Sequence, residues 1–142
     1  MDDLKRDGVG RWDGIRNYQV RNMLRDEFTV GDQAIFYYSN AGAKTGAVGV
    51  MEVAGLAYTD PLQFTPSSEY YDAGSKKEAP RWLCVDVRFV SSFEAPVLLP
   101  TMRTDKALAS LQILKRGNRL SVTKLTKKEF DRICHLGASR HA

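Results

Sequence analysis

The sequence predicts an α+β domain, in which a mixed, mostly antiparallel sheet or small barrel carries helices at its periphery. Three observations point there. At 142 residues, 43% hydrophobic and 27% charged, the chain is long enough for one domain with its own core and too apolar for disorder. Short runs of aromatic and β-branched residues, bounded by turn residues, recur along it as strands do. Helical spacing of apolar residues is confined to a few windows near the start and end.

The elements follow in order. Asn17 to Asp26 places Tyr18, Val20, Met23 and Leu24 near one side of a short helix, and Val30-Gly31-Asp32 reads as a turn. Ala34 to Tyr38 is a strand by content, joined through a hairpin-like stretch, Gly42 to Gly46, to a second strand, Ala47 to Val53. Tyr58 to Pro80, rich in Pro, Ser and Gly but also in tyrosine, reads as a long ordered loop. Trp82 to Val90 alternates as a strand, and Pro96 to Pro100 gives a separate extended segment. Thr104 to Leu114 is expected to be a helix opened by Thr104 or Asp105. Leu120 to Thr123 is expected to be the last strand. Thr126-Lys127-Lys128-Glu129 has the capping-box pattern ahead of Phe130, Ile133 and Leu136, a terminal helix; Ala138 to Ala142 reads as a disordered tail.

Composition narrows the function classes. Twenty-one basic against 17 acidic residues give a net charge of +4, which favours anionic partners only mildly. Cys84 and Cys134 match no zinc or redox spacing, and His135 and His141 lack companions at ligand spacing, so no metal and no cofactor is expected. With no membrane-length apolar stretch and no signal peptide, a cytoplasmic or nuclear protein with no membrane partner is expected.

The run from Trp12 to Asn22 combines two aromatics, two asparagines and two arginines. Aromatic faces stack on a planar heterocycle, amides pair with a base edge and guanidinium groups hold phosphate, so this mixture suits nucleotide recognition.

Trp12-Asp13-Gly14-Ile15-Arg16-Asn17-Tyr18-Gln19-Val20-Arg21-Asn22 is also the first of a series of motifs in order along the chain. Gly31-Asp32, Phe36 to Asn40, Gly46 to Val53, Tyr58-Thr59-Asp60-Pro61, Tyr70-Tyr71-Asp72, Pro80-Arg81-Trp82, Val85-Asp86-Val87 and Arg119 to Val122 follow. On these motifs the chain resembles the EVE domain, a PUA-like family, over about Leu4 to Leu136. The resemblance implies a single domain spanning 1–142, a PUA-like pseudobarrel with peripheral helices, and a non-catalytic pocket for a modified nucleobase of DNA or RNA.

It further implies a first strand ending in Lys-Ser-Glu-Pro, which this chain lacks, and a histidine where Tyr38 stands. A sheet without that strand would keep an unpaired edge, and a second copy of the chain is one possible cover for it.

The candidate site residues are Trp12 as stacking wall and Asn17 and Asn22 as base-edge readers or helix caps. Arg16 and Arg21 are phosphate or pocket donors, or surface and acid-paired groups. Tyr38, Ser39 and Asn40 end a strand at the pocket, or serve as turn residues. Arg119 and Ser121 share one strand face, with an ion pair as the alternative for Arg119. Trp82 reads as core, and the pairs Lys76-Lys77 and Lys127-Lys128 as solvated charge. Other function classes stay open: a nucleotide-acting enzyme using Asp32, Asp60 or Asp72, or a small-molecule or protein-interaction module.

Overall fold

The structure, a computed structural model, describes residues 2–39, 41–115 and 122–138. The chain begins with helix α1 (Asp2–Asp7) and strand β1 (Val9–Trp12), followed by helix α2 (Tyr18–Asp26). Strands β2 (Gln33–Tyr38), β3 (Gly46–Val53), β4 (Tyr58–Thr59) and β5 (Leu83–Leu98) come next. Helices α3 (Leu99–Thr104) and α4 (Lys127–Ala138) complete the set.

Every pairing is antiparallel, in the order β1-β5-β3-β2, with β4 added to β5. Among the described residues β1 and β2 are the two ends of this sheet. β3 approaches β5 closely at Gly46, where a Cβ would lie 2.4 Å from the Val97 carbonyl oxygen. A side chain there would force the two strands apart.

Two apolar clusters flank the sheet. The first gathers Leu4, Ile15, Val20, Leu24, Met51, Val53, Val85 and Val87; the second gathers Ala47, Val97, Met102, Leu108, Leu111 and Ile133. Val20 and Leu24, one turn apart on α2, are almost fully buried, and each contributes about 1.5–3 kcal/mol by burial.

Several elements differ from expectation. The strand Trp82 to Val90 and the extended Pro96 segment are one continuous strand, β5. Pro96 is tolerated because the β3–β5 register jumps from Gly49↔Ser92 to Ala47↔Val97, leaving its position outside the ladder. The helix expected over Thr104 to Leu114 is instead two 3₁₀ turns, Lys106–Leu108 and Gln112–Leu114. Leu108 and Leu111, both buried, are three residues apart, the period of a 3₁₀ turn, and the Asp105 carboxylate caps it by accepting from the Ala107 N–H at 2.9 Å. The expected strand Leu120 to Thr123 lies partly outside the described residues, and Val122 and Thr123 are not in a strand. Of the expected tail Ala138 to Ala142, Ala138 instead closes α4 and the other residues lie outside the described ones.

Candidate functional site

Trp12 closes β1 opposite Val85, half-buried against the first core cluster. The chain then turns through Asp13 and Gly14, whose φ of +73° is open to glycine without strain. A Cβ on Gly14 would also lie 2.8 Å from the Tyr70 ring, so the turn packs directly under that tyrosine.

The turn is fastened from the 58–82 loop. Asp60, fully buried, accepts from the Gly14 N–H at 2.9 Å, from Arg16 Nη1 at 3.0 Å and from the Leu62 N–H at 2.8 Å. Arg16 also donates to the carbonyls of Ile15 and Tyr70, so its guanidinium is engaged within the chain. Gln63, also fully buried, donates to the carbonyls of Asp60 and Trp82 and accepts from Ser75 Oγ at 2.6 Å. Asp72 accepts from Trp82 Nε1 at 2.7 Å and from the Gly74 N–H, and these two bonds hold its pKa below the ordinary carboxylate value. The long loop is therefore ordered by buried polar groups.

Aromatic and cationic groups stack above it. Tyr18 lies on Trp82 with ring centroids 4.7 Å apart, and Arg21 sits 4.8 Å from the Tyr18 ring. Arg16 is 5.5 Å from both the Tyr70 and Trp82 rings. Trp82 is buried, as its sequence position suggested.

On another side a groove of about 1560 Å³ opens, lined by residues of α1, β1, β2, β3 and the 122–133 region. Trp12, Phe36, Ser39, Met51 and Phe130 are among the residues lining it. This exceeds the roughly 300–1,000 Å³ of an ordinary small-molecule pocket.

The candidate residues of the Trp12 to Asn22 run are thus divided. Trp12 and Ser39 line the groove. Asn17 is the N-cap of α2, its Oδ1 accepting from the Val20 N–H at 3.0 Å. Asn22 Oδ1 accepts from Arg21 Nη2 at 2.8 Å, and Arg21 also donates to the Arg81 carbonyl. Tyr38 packs edge-on to Phe36 at 5.6 Å. Asn40, Arg119 and Ser121 lie outside the described residues.

Asp32, Asp60 and Asp72 all have structural partners, Asp32 accepting from the Thr29 N–H at 2.9 Å. Cys84 and Cys134 are both free thiols, and burial pushes the Cys84 pKa up. Among the described residues no helix is long and apolar enough to cross a membrane.

The sequence model of the EVE domain matches residues 1–136. The chain belongs to the EVE domain family. Mouse thymocyte nuclear protein 1 is 42% identical over 133 residues, covering 88% of this chain and 58% of its own length. The zebrafish protein of the same name is 36% identical, covering 96% of this chain and 62% of its own length. This EVE domain therefore spans about three-fifths of those curated relatives.

Solved structures agree in fold. A Pseudomonas syringae protein, 36% identical, superposes with a TM-score of 0.90 over 96% of this chain and 90% of its own. The human THYN1 protein in complex with 5-methylcytosine-containing DNA is 35% identical, with a TM-score of 0.88 over 99% of this chain and 86% of its own.

The EVE domain's fastening residues, Asp60, Gln63 and Tyr70, were not singled out from the sequence as structural. One signal existed: Asp60 precedes Pro61, and its Oδ1 caps the 3₁₀ turn Pro61–Phe64 through the Leu62 N–H.

Proposed function

We propose that this EVE domain binds nucleic acid without a chemical step, reading a modified nucleobase in the groove walled by Trp12. The observation that carries the reading is that groove, in a chain whose fold matches that of the human THYN1 protein solved with 5-methylcytosine DNA. Trp12 offers an indole face for stacking, and Ser39 a hydroxyl that both donates and accepts. The apolar lining suits a methyl group. Burial of one such carbon is worth about 0.8 kcal/mol, roughly fourfold in affinity, so stronger preference for a methylated base requires hydrogen bonds as well.

The test titrates matched oligonucleotides with cytosine or 5-methylcytosine against the chain and its Trp12→Ala variant, with circular dichroism as the check on folding. Loss of the stacking wall should cost about 1–3 kcal/mol, a drop of fivefold to more than a hundredfold. Equal affinity for both oligonucleotides, or no change in a folded Trp12→Ala variant, refutes the reading.

A further inference from the structure

Beside the groove lies a smaller pocket of about 280 Å³, built on the solvent side of α2. Gln19, Asn22, Met23, Asp26, Glu27 and Lys124 line it, and Met23, Glu27 and Lys124 also line the groove, so the two spaces adjoin. Helical spacing explains the lining. Residues 19, 22, 23 and 26 stand three or four apart and share one side of α2, whereas Val20 and Leu24 turn into the core on another.

The charges of this pocket are already matched. Arg25 donates to both carboxylate oxygens of Asp26, at 2.8 and 2.9 Å, and Lys124 donates to Glu27. What remains to meet a ligand is a pair of amides. Asn22 Oδ1 accepts from Arg21 Nε at 3.1 Å and from Arg21 Nη2 at 2.8 Å, which fixes the amide and leaves its Nδ2 as a donor. Gln19 is exposed and makes no side-chain hydrogen bond among the described residues, so it keeps both a donor and an acceptor.

We infer that Gln19 and Asn22 form a sequence-context site, which reads the edge of an adenine neighbouring the modified base held beside Trp12. This rests on the base-reading function proposed above and adds a preference for an adjoining nucleotide. The argument is one of size and hydrogen-bond pattern. At about 280 Å³ the pocket falls just below the roughly 300–1,000 Å³ of small-molecule pockets, room for the edge of one base and not for a whole nucleotide. Adenine carries a donor, N6, beside an acceptor, N7, on its major-groove edge. Gln19 Oε1 can accept from N6 while N7 receives Gln19 Nε2 or Asn22 Nδ2. Guanine O6 and thymine O4 would instead set a carbonyl against Gln19 Oε1 and the Asp26 and Glu27 carboxylates, and cytosine presents no acceptor on that edge.

The experiment titrates 5-methylcytosine oligonucleotides in which each base flanking the modified position is changed in turn to A, C, G or T. Their affinities are compared for the parent chain, Gln19→Ala and the double variant Gln19→Ala with Asn22→Ala, with circular dichroism as the check on folding. One flanking position should prefer adenine by about fivefold, the lower end for a bidentate contact to a base. Gln19→Ala should lessen that preference and the double variant abolish it, while both keep the parent's ratio between 5-methylcytosine and cytosine.

A parent chain that is indifferent to its flanking bases, that prefers a base other than adenine, or whose preference survives in the folded double variant overturns the context site. If 5-methylcytosine is still preferred in those cases, the base-reading function stands without it. If the adenine preference is present and lost in the double variant while cytosine and 5-methylcytosine bind alike, the context site stands and the reading of a modified base falls. A parent chain that binds no oligonucleotide at low salt overturns both.

Discussion

A single carboxylate holds the turn that follows Trp12. Asp60 has no solvent exposure and takes three donors, one of them a guanidinium whose side chain is 21% exposed. Asp60→Ala would strand the Gly14 and Leu62 N–H groups and leave Arg16 without its charge partner. Removing one partner of a buried ion pair costs on the order of 3 kcal/mol, the lower end of the usual range because Arg16 keeps some access to water. Urea denaturation checks this; a loss under about 1 kcal/mol would mean that water replaces the carboxylate without difficulty. Residue roles of this kind were only partly legible in the sequence. Asn17 as a helix cap and Trp82 as core follow from local chemistry, whereas Arg16 looks the same as a ligand donor or a structural tie until residues 60 and 70 are brought to it by the fold.

Local signals worked best where the element is stabilised locally. The capping box of α4 forms in both directions: Glu129 N–H donates to Thr126 Oγ1 at 3.1 Å, and Thr126 N–H donates to Glu129 Oε1 at 2.9 Å. The strands β2 and β3 and the helix α2 also stand close to where their residue patterns placed them. β1 was missed because four residues, one of them glycine, carry too little pattern, and it exists through its ladder with β5. The segment after α3 misled because leucines three apart fit one turn of either helix type. α4 itself meets β5 at Gly137, where a Cβ would lie 2.3 Å from Phe93 Cγ. Gly137→Ala gains about 1 kcal/mol of helix propensity but must displace the base of an aromatic ring, at about 1–3 kcal/mol. The expected net result is a less stable chain with a lower Tm in calorimetry; a higher Tm would show that Phe93 yields freely.

For the molecule as a whole, the boundary left open between β1 and β2 among the described residues is the feature with the widest reach. The outer edge of β2 pairs with no strand among the described residues, and the groove runs along it. Adding a strand able to pair this edge should raise the Tm and tighten oligonucleotide binding, because it would pair the edge and supply a further groove wall. Thermal melting and titration of the two chains at equal concentration test this, and identical values would show that the groove does not receive it. The opposite condition holds at β5, which pairs with β1, β3 and β4 along its 16 residues. Leu83 and Cys84 pair with β4 and Val87 and Arg88 with β3, while Val85 to Arg88 pair with β1, whose residues come from the far end of the sequence. Such pairing waits on the closure of long loops, so folding is set by the time the chain takes to bring residues 9–12 and 83–88 together. Once closed, the stretch of β5 around Val87 and Arg88, paired with β1 on one side and β3 on the other, opens only with the whole molecule, and its amide hydrogens should be the last to exchange with deuterated water.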